Sequence, residues 1–177
     1  MEINSIDDIT IYDNFFDEKV LNKILNLFQE YKWQCNCLKN PNKNRYKDVP
    51  FWRKDLNDNS FFIEELKNII EDKLKKKFLL QRVYAVGQTY EQNSNYHVDS
   101  NIKDTYTFCF YINNNILNEN LDGFFHIKVP NKKYVLLIEP SNNRGVFFPA
   151  TYIHKGTGFS RLYNNFRICI AWKLKEI

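Results

Sequence analysis

The chain carries three histidines, His97, His126 and His154. The first stands in Tyr96-His97-Val98-Asp99. Side chains alternate across an extended chain, so His97 and Asp99 share one face. An imidazole and a carboxylate so placed suit two adjacent corners of a metal ion. A third ligand must come from elsewhere, and His154, in Phe148-Pro-Ala-Thr-Tyr-Ile-His154-Lys-Gly, is the candidate. Two histidines and one carboxylate form the facial triad that holds non-haem Fe(II) with coordination positions left open. Three open positions suit a bidentate cosubstrate and dioxygen on the same ion. His126, in Phe124-Phe-His-Ile-Lys-Val129, is read as a structural or rim histidine rather than a fourth ligand.

The surrounding pattern resembles the Fe(II)/2-oxoglutarate-dependent dioxygenases, especially their prolyl-4-hydroxylase-like branch. That family follows His-x-Asp with a distant histidine and then a basic residue. Here the long interval from Asp99 to His154 fits, and Arg167 follows, opening Arg167-Ile-Cys-Ile-Ala-Trp172. Thr105-Tyr-Thr-Phe-Cys-Phe-Tyr111-Ile-Asn113, Leu121-Asp-Gly123-Phe-Phe and Ser141-Asn-Asn-Arg-Gly-Val-Phe-Phe-Pro149 resemble successive family strands and turns. Two departures stand out. Asp122 replaces the first glycine of a Gly-Gly turn, and Lys173 stands where the family usually has a tryptophan, with Trp172 one place earlier.

The resemblance implies Fe(II) on His97, Asp99 and His154, 2-oxoglutarate and dioxygen as cosubstrates, and ascorbate as an accessory reductant. Arg167 would pair with the far carboxylate of 2-oxoglutarate, because guanidinium is permanently charged and bidentate. Arg161 is its competitor, in a Gly/Ser-rich turn. Tyr111 would bond the same carboxylate, and Tyr90 would lie beside the metal-bound end. Cys169 shares strand parity with Arg167, and is either a pocket-lining thiol or a small buried hydrophobe. The substrate implied is a peptide or protein side chain such as proline. Oxidation of nucleic acid or a small molecule is the alternative, and a non-catalytic binding domain is the third reading. The expected assembly is a monomer or weak dimer.

Positioning these residues requires a particular order of elements. Apolar residues at helical spacing predict a helix over 17–31, with Asp17 and Glu18 in its first turn. A second is predicted over 60–76, with Ser60 as N-cap and Lys75, Lys76 and Lys77 solvated at its end. A short strand is expected around 9–12, and residues 34–58 read as a loop long enough to act as a lid. From residue 78 the grammar is of strands, at 79–90, 105–112, 123–129, 134–139, 145–148 and 165–174. The expected class is mainly β with N-terminal helices around a double-stranded β-helix (jelly-roll or cupin-like) core. One domain, 1–177, would combine helical support over 1–77 with the jelly roll over 78–177.

Composition bounds the rest. With 177 residues the chain buries a sizeable core without needing a disulfide or metal to fold. The net charge of +4 is too mild to define a nucleic-acid binder. No run is long and apolar enough to span a membrane, and the acidic start, Met-Glu-Ile-Asn-Ser-Ile-Asp-Asp, lacks signal-peptide features, so a cytoplasmic location without a membrane partner is expected. Cys35, Cys37, Cys109 and Cys169 are then read as reduced thiols. The spacing of Cys35 and Cys37 is too tight for a structural zinc pair.

Overall fold

Period-two alternation in the second half of the chain builds two antiparallel sheets whose facing surfaces enclose the candidate residues. A computed structural model describes residues 2–6, 8–35, 51–113, 122–163 and 166–177. The chain opens with β1 (Glu2–Ile6) and β2 (Ile9–Asp13), then α1 (Glu18–Glu30), β3 (Gln34–Cys35) and β4 (Trp52–Asp55). A π-helical turn, Phe61–Glu65, runs into α2 (Leu66–Leu74). There follow β5 (Phe78–Gln88), β6 (Thr105–Tyr111), β7 (Phe125–Lys128), β8 (Val135–Ile138), β9 (Arg144–Pro149), β10 (His154–Gly156) and β11 (Arg167–Glu176). The large sheet has the order β1-β2-β9-β6-β11-β5-β4-β3, and the small one β10-β7-β8.

Strand β11 shows how the two faces divide. Ile170, Trp172 and Leu174 pack with Phe108 and Phe110 of β6, with Ile24 and Phe28 of α1, and with Leu66 and Ile70 of α2. The intervening Cys169 and Ala171 pack instead with Cys109 and Tyr111 and with Phe125, Ile127 and Ile138 of the small sheet. The helices therefore cover one face of the large sheet, and the small sheet covers the other.

Local chemistry sets the helix ends. Asp17 caps α1, its side chain accepting from the Val20 N–H at 2.8 Å. The second helix departs from expectation. Ser60 makes no side-chain cap and is already helical, while Asn59 accepts from the Phe61 N–H at 3.0 Å. The widened first turn accompanies close packing of Phe61 and Phe62, whose ring centroids are 5.2 Å apart. Lys75 ends α2 in the left-handed region, at φ 55°. Its neighbours are ion-paired rather than simply solvated: Lys76 meets Glu176 at 2.6 Å and Lys77 meets Glu71 at 3.1 Å.

The stretch read as one loop over 34–58 holds strands at both ends, because β3 and β4 pair and extend the large sheet past β5. Cys37, Lys39, Lys43, Arg45 and Lys47, and with them the centre of the expected lid, lie outside the described residues. Strands β1 and β10 are likewise absent from the sequence-based expectation. Each is recognisable by its pairing rather than by its own apolar pattern. Among the described residues, no helix is long and apolar enough to cross a membrane.

Trp172 is fully buried on the helix-facing side and its indole N–H donates to the Phe62 carbonyl at 3.0 Å. Trp172→Ala is expected to destabilise the fold by about 3–5 kcal/mol in urea unfolding, from lost burial and an empty cavity.

Candidate metal centre

The two histidines meet through the backbone. His97 N–H donates to the His154 carbonyl at 3.0 Å and His154 N–H donates back at 2.9 Å, an isolated antiparallel bridge. Two residues on, the Asp99 and Ser100 amides both donate to the Ala150 carbonyl, at 2.9 and 3.2 Å. This clamp holds the His-x-Asp segment against the turn that precedes β10. The ring centroids of His97 and His154 lie 4.5 Å apart, and one ligand atom from each of His97, Asp99 and His154 falls within 4.8 Å of the others.

Both rings are turned the same way. Nδ1 of His97 sits 2.9 Å from the Asn95 carbonyl, and Nδ1 of His154 sits 2.8 Å from the Tyr152 carbonyl. A carbonyl only accepts, so each Nδ1 carries the hydrogen and each Nε2 keeps its lone pair for a cation. The Nε2 atoms approach Asp99 at 3.8 Å (His97) and 3.3 Å (His154). His97 is the more open ring; desolvation pushes its pKa down, opposed by the Asn95 bond. A neutral imidazole is the form that binds metal.

Asp99 has a nearly buried side chain, 5% exposed. Burial works against its charge, but the contacts with His154 and the nearby Lys173 ammonium outweigh it and hold the carboxyl well below its usual range. Thr107 donates to Oδ2 at 2.6 Å, and Lys173 also donates to Oδ2. Lys173 is the residue that stands at the expected tryptophan position. It is buried, and although desolvation lowers its pKa, the charges facing it, including Asp99, raise it overall.

The second half of the site lies along β11. Arg167 is buried, donating from Nε to the Gly123 carbonyl at 2.6 Å and from Nη1 to Gln88 Oε1 at 2.8 Å. A Cβ on Gly156 would sit 3.2 Å from Arg167 Nη1, so only a glycine leaves the guanidinium its full room. No carboxylate pairs with Arg167 among the described residues. A buried guanidinium without a counter-ion is costly and calls for an anion. The Tyr111 ring lies 5.1 Å from the guanidinium carbon, and its buried hydroxyl lacks a hydrogen-bond partner of good geometry. Burial raises the Tyr111 pKa well above its usual value, so the group is a neutral O–H donor. Cys169 packs in the same buried cluster as Tyr111 and shares a hydrogen bond with Cys109, which lowers the Cys169 pKa and raises that of Cys109. Cys109 and Cys169 form no disulfide.

The fold thus brings together His97, Asp99 and His154, and separately Arg167, Tyr111 and Cys169. Tyr90 is not among them: β5 ends at Gln88, and the Tyr90 hydroxyl donates to Glu91 at 2.9 Å on the surface. Gln88, in register with Arg167, holds the position beside the guanidinium. Arg161 is exposed. His126 lies on the other face of β7 from the buried Phe125 and Ile127, near Tyr96 at 6.4 Å. Asp122, at the position of the expected first glycine, adopts a left-handed conformation, at φ 56°. Gln88, Thr107 and the Lys173–Asp99 contact are the parts that sequence reasoning misses; strand parity hints at them, but pairing register is needed.

No protein-family model and no curated protein matches this sequence. Solved structures do. A prolyl hydroxylase from Trichoplax adhaerens, in complex with a hypoxia inducible factor oxygen degradation domain peptide, superposes with TM-score 0.72 at 15% identity, over 96% of this chain and 84% of that one. A Pseudomonas putida prolyl-4-hydroxylase gives 0.69 at 10% identity, over 96% and 93%. HygX from Streptomyces hygroscopicus, with nickel, 2-oxoglutarate and hygromycin B bound, gives 0.67 at 9% identity, over 95% and 82%.

The chain has the 2-oxoglutarate–Fe(II) oxygenase fold.

That fold is a double-stranded β-helix, here with helices packed on its large sheet. The oxygenase-fold chain also offers groups suited to such cofactors. Two free imidazole lone pairs and a charged carboxylate converge on one point, and a buried guanidinium with no ion pair among the described residues lies beside an orphaned hydroxyl.

The Asp99–Lys173 pair has a measurable consequence in the metal-free protein. Asp99→Asn leaves a buried ammonium uncompensated and should cost about 3–5 kcal/mol in urea unfolding, while adding Lys173→Met should restore much of the loss. Because the folded pKa of Asp99 is depressed, its stabilisation is complete above the unfolded value of about 3.9 and is lost as pH falls below it. The gap between wild type and Asp99→Asn should therefore narrow below about pH 4.

Proposed function

We propose that this protein is an Fe(II)- and 2-oxoglutarate-dependent dioxygenase that hydroxylates a C–H bond of a peptide or protein side chain, with proline the first residue to test. The observation that carries this reading is a His-Asp-His cluster together with a buried, anion-seeking Arg167–Tyr111 pair on the same side of the large sheet. Neighbours of the same fold include a prolyl hydroxylase with a bound peptide and an enzyme with bound nickel and 2-oxoglutarate, which supports the substrate class and the cofactors.

In this reading, His97, Asp99 and His154 hold the metal, and the chemistry supplied by Fe(II) and 2-oxoglutarate is oxidative decarboxylation to succinate and carbon dioxide, with one oxygen atom of dioxygen entering the substrate C–H bond. The chain's own work is placement. The Asn95 and Tyr152 carbonyls fix the ring orientations. Thr107 and Lys173 fix the Asp99 carboxylate. Arg167 receives the far carboxylate of 2-oxoglutarate in a charge-assisted bond, and the Tyr111 O–H supplies a second donor. Phe125 and Phe148, buried beside His154, keep water from that side of the cavity.

Replacing His97, Asp99 or His154 by Ala should abolish both metal binding, read by calorimetry with Mn(II), and 2-oxoglutarate turnover. Arg167→Ala should leave Mn(II) binding in place and raise the KM for 2-oxoglutarate by at least about tenfold, the effect of one lost charged hydrogen bond. An unchanged KM would remove Arg167 from the cosubstrate site.

A further inference from the structure

Beyond β11, the face of the large sheet that carries Arg167 and Lys173 holds charges that neither the triad nor the cosubstrate residues use. Register sets Arg82 beside Lys173, Tyr84 between Ala171 and Asp55, and Val86 between Cys169 and Arg53. All of these lie on the face that holds Arg167 and Lys173. The Tyr84 ring is ringed by cations: Arg53 Cζ lies 4.3 Å from its centroid, Arg82 Cζ 5.5 Å and Lys173 Nζ 5.7 Å.

Few carboxylates answer them. Lys173 is committed to Asp99. Arg53 reaches Asp55 only at 3.6 Å, and the Asp55 side chain is 59% exposed. Arg82 has no ion pair among the described residues. Two guanidiniums held near one aromatic ring against a single solvated carboxylate leave an unanswered positive charge among the described residues, with planar donors that match a carboxylate. Lys173 links this wall to the metal-ligand candidate, since it touches Asp99 and also faces Tyr84.

We propose that Arg53, Tyr84 and Arg82 form a substrate subsite for an acidic side chain, so that the preferred substrate is a peptide with Asp or Glu close to the residue that is oxidised. This rests on the dioxygenase reading and names its substrate class. A peptide fits better than nucleic acid because, among the described residues, the cationic wall is confined to segments of two adjacent strands, and the chain's charge of +4 is too mild for a phosphate-backbone track.

The test uses the full chain loaded with Mn(II) and 2-oxoglutarate. Three fluorescent proline-centred peptides, flanked by Glu, Gln or Lys, are compared by polarisation, together with a single-stranded oligonucleotide. The Glu peptide should bind at least about tenfold tighter than the Gln peptide and tighter than the oligonucleotide, and added salt should weaken it. Arg53→Gln/Arg82→Gln should erase the preference, and Arg53→Lys/Arg82→Lys should keep most of it, both with the wild-type thermal midpoint. Equal binding of Glu and Gln peptides by the wild type overturns the proposal, as does a preference that survives the Gln pair or a tighter oligonucleotide. The wild-type comparison decides alone if the Gln pair does not fold. Failure of the wild type to bind Mn(II) or consume 2-oxoglutarate would instead strike the dioxygenase reading.

Discussion

A carboxylate withdrawn from water keeps its charge only if donors surround it, and Asp99 is placed under that constraint by the backbone. The clamp of its amide to Ala150 and the bridge between His97 and His154 drive the side chain into the sheet interior. Thr107 and Lys173 then supply the compensation. Because both Nδ1 atoms are tied to carbonyls, the remaining lone pairs point the same way. The result is a preorganised cation site.

Lys173 alters the character of that site. A tryptophan there would cover the carboxylate with apolar surface, whereas an ammonium compensates its charge. The same cation repels a divalent ion nearby while locking the carboxylate in place, so affinity and rigidity are set against one another. Arg82, in register with Lys173, and Tyr84 then continue this polar surface away from the centre.

Strand β11 ties stability to the site through its two-residue period. Ile170, Trp172 and Leu174 anchor the strand to the helices, and Arg167, Cys169 and Lys173 face the cavity at fixed intervals. Any shift of register by one residue would exchange the two sets. The strongly apolar helix-facing row therefore also positions the charged row behind it.

Much of this was legible from the chain. Strand alternation, the capped first helix and the wide separation of His97 and Asp99 from His154 follow from residue type and spacing, because they depend on local periodicity and on the few residue types able to bind metal. Tyr90 shows the limit: its distance from His97 fits the pattern, but β5 ends before it and Gln88 takes the place beside Arg167. The strands β3, β4 and β10 are too short to show a period of their own and exist through their partners. Residue type and local periodicity set the alternating faces and the ligand types. Which residues meet follows from folding, since cross-strand register and buried charge pairing join positions far apart along the chain, and no local pattern encodes those contacts.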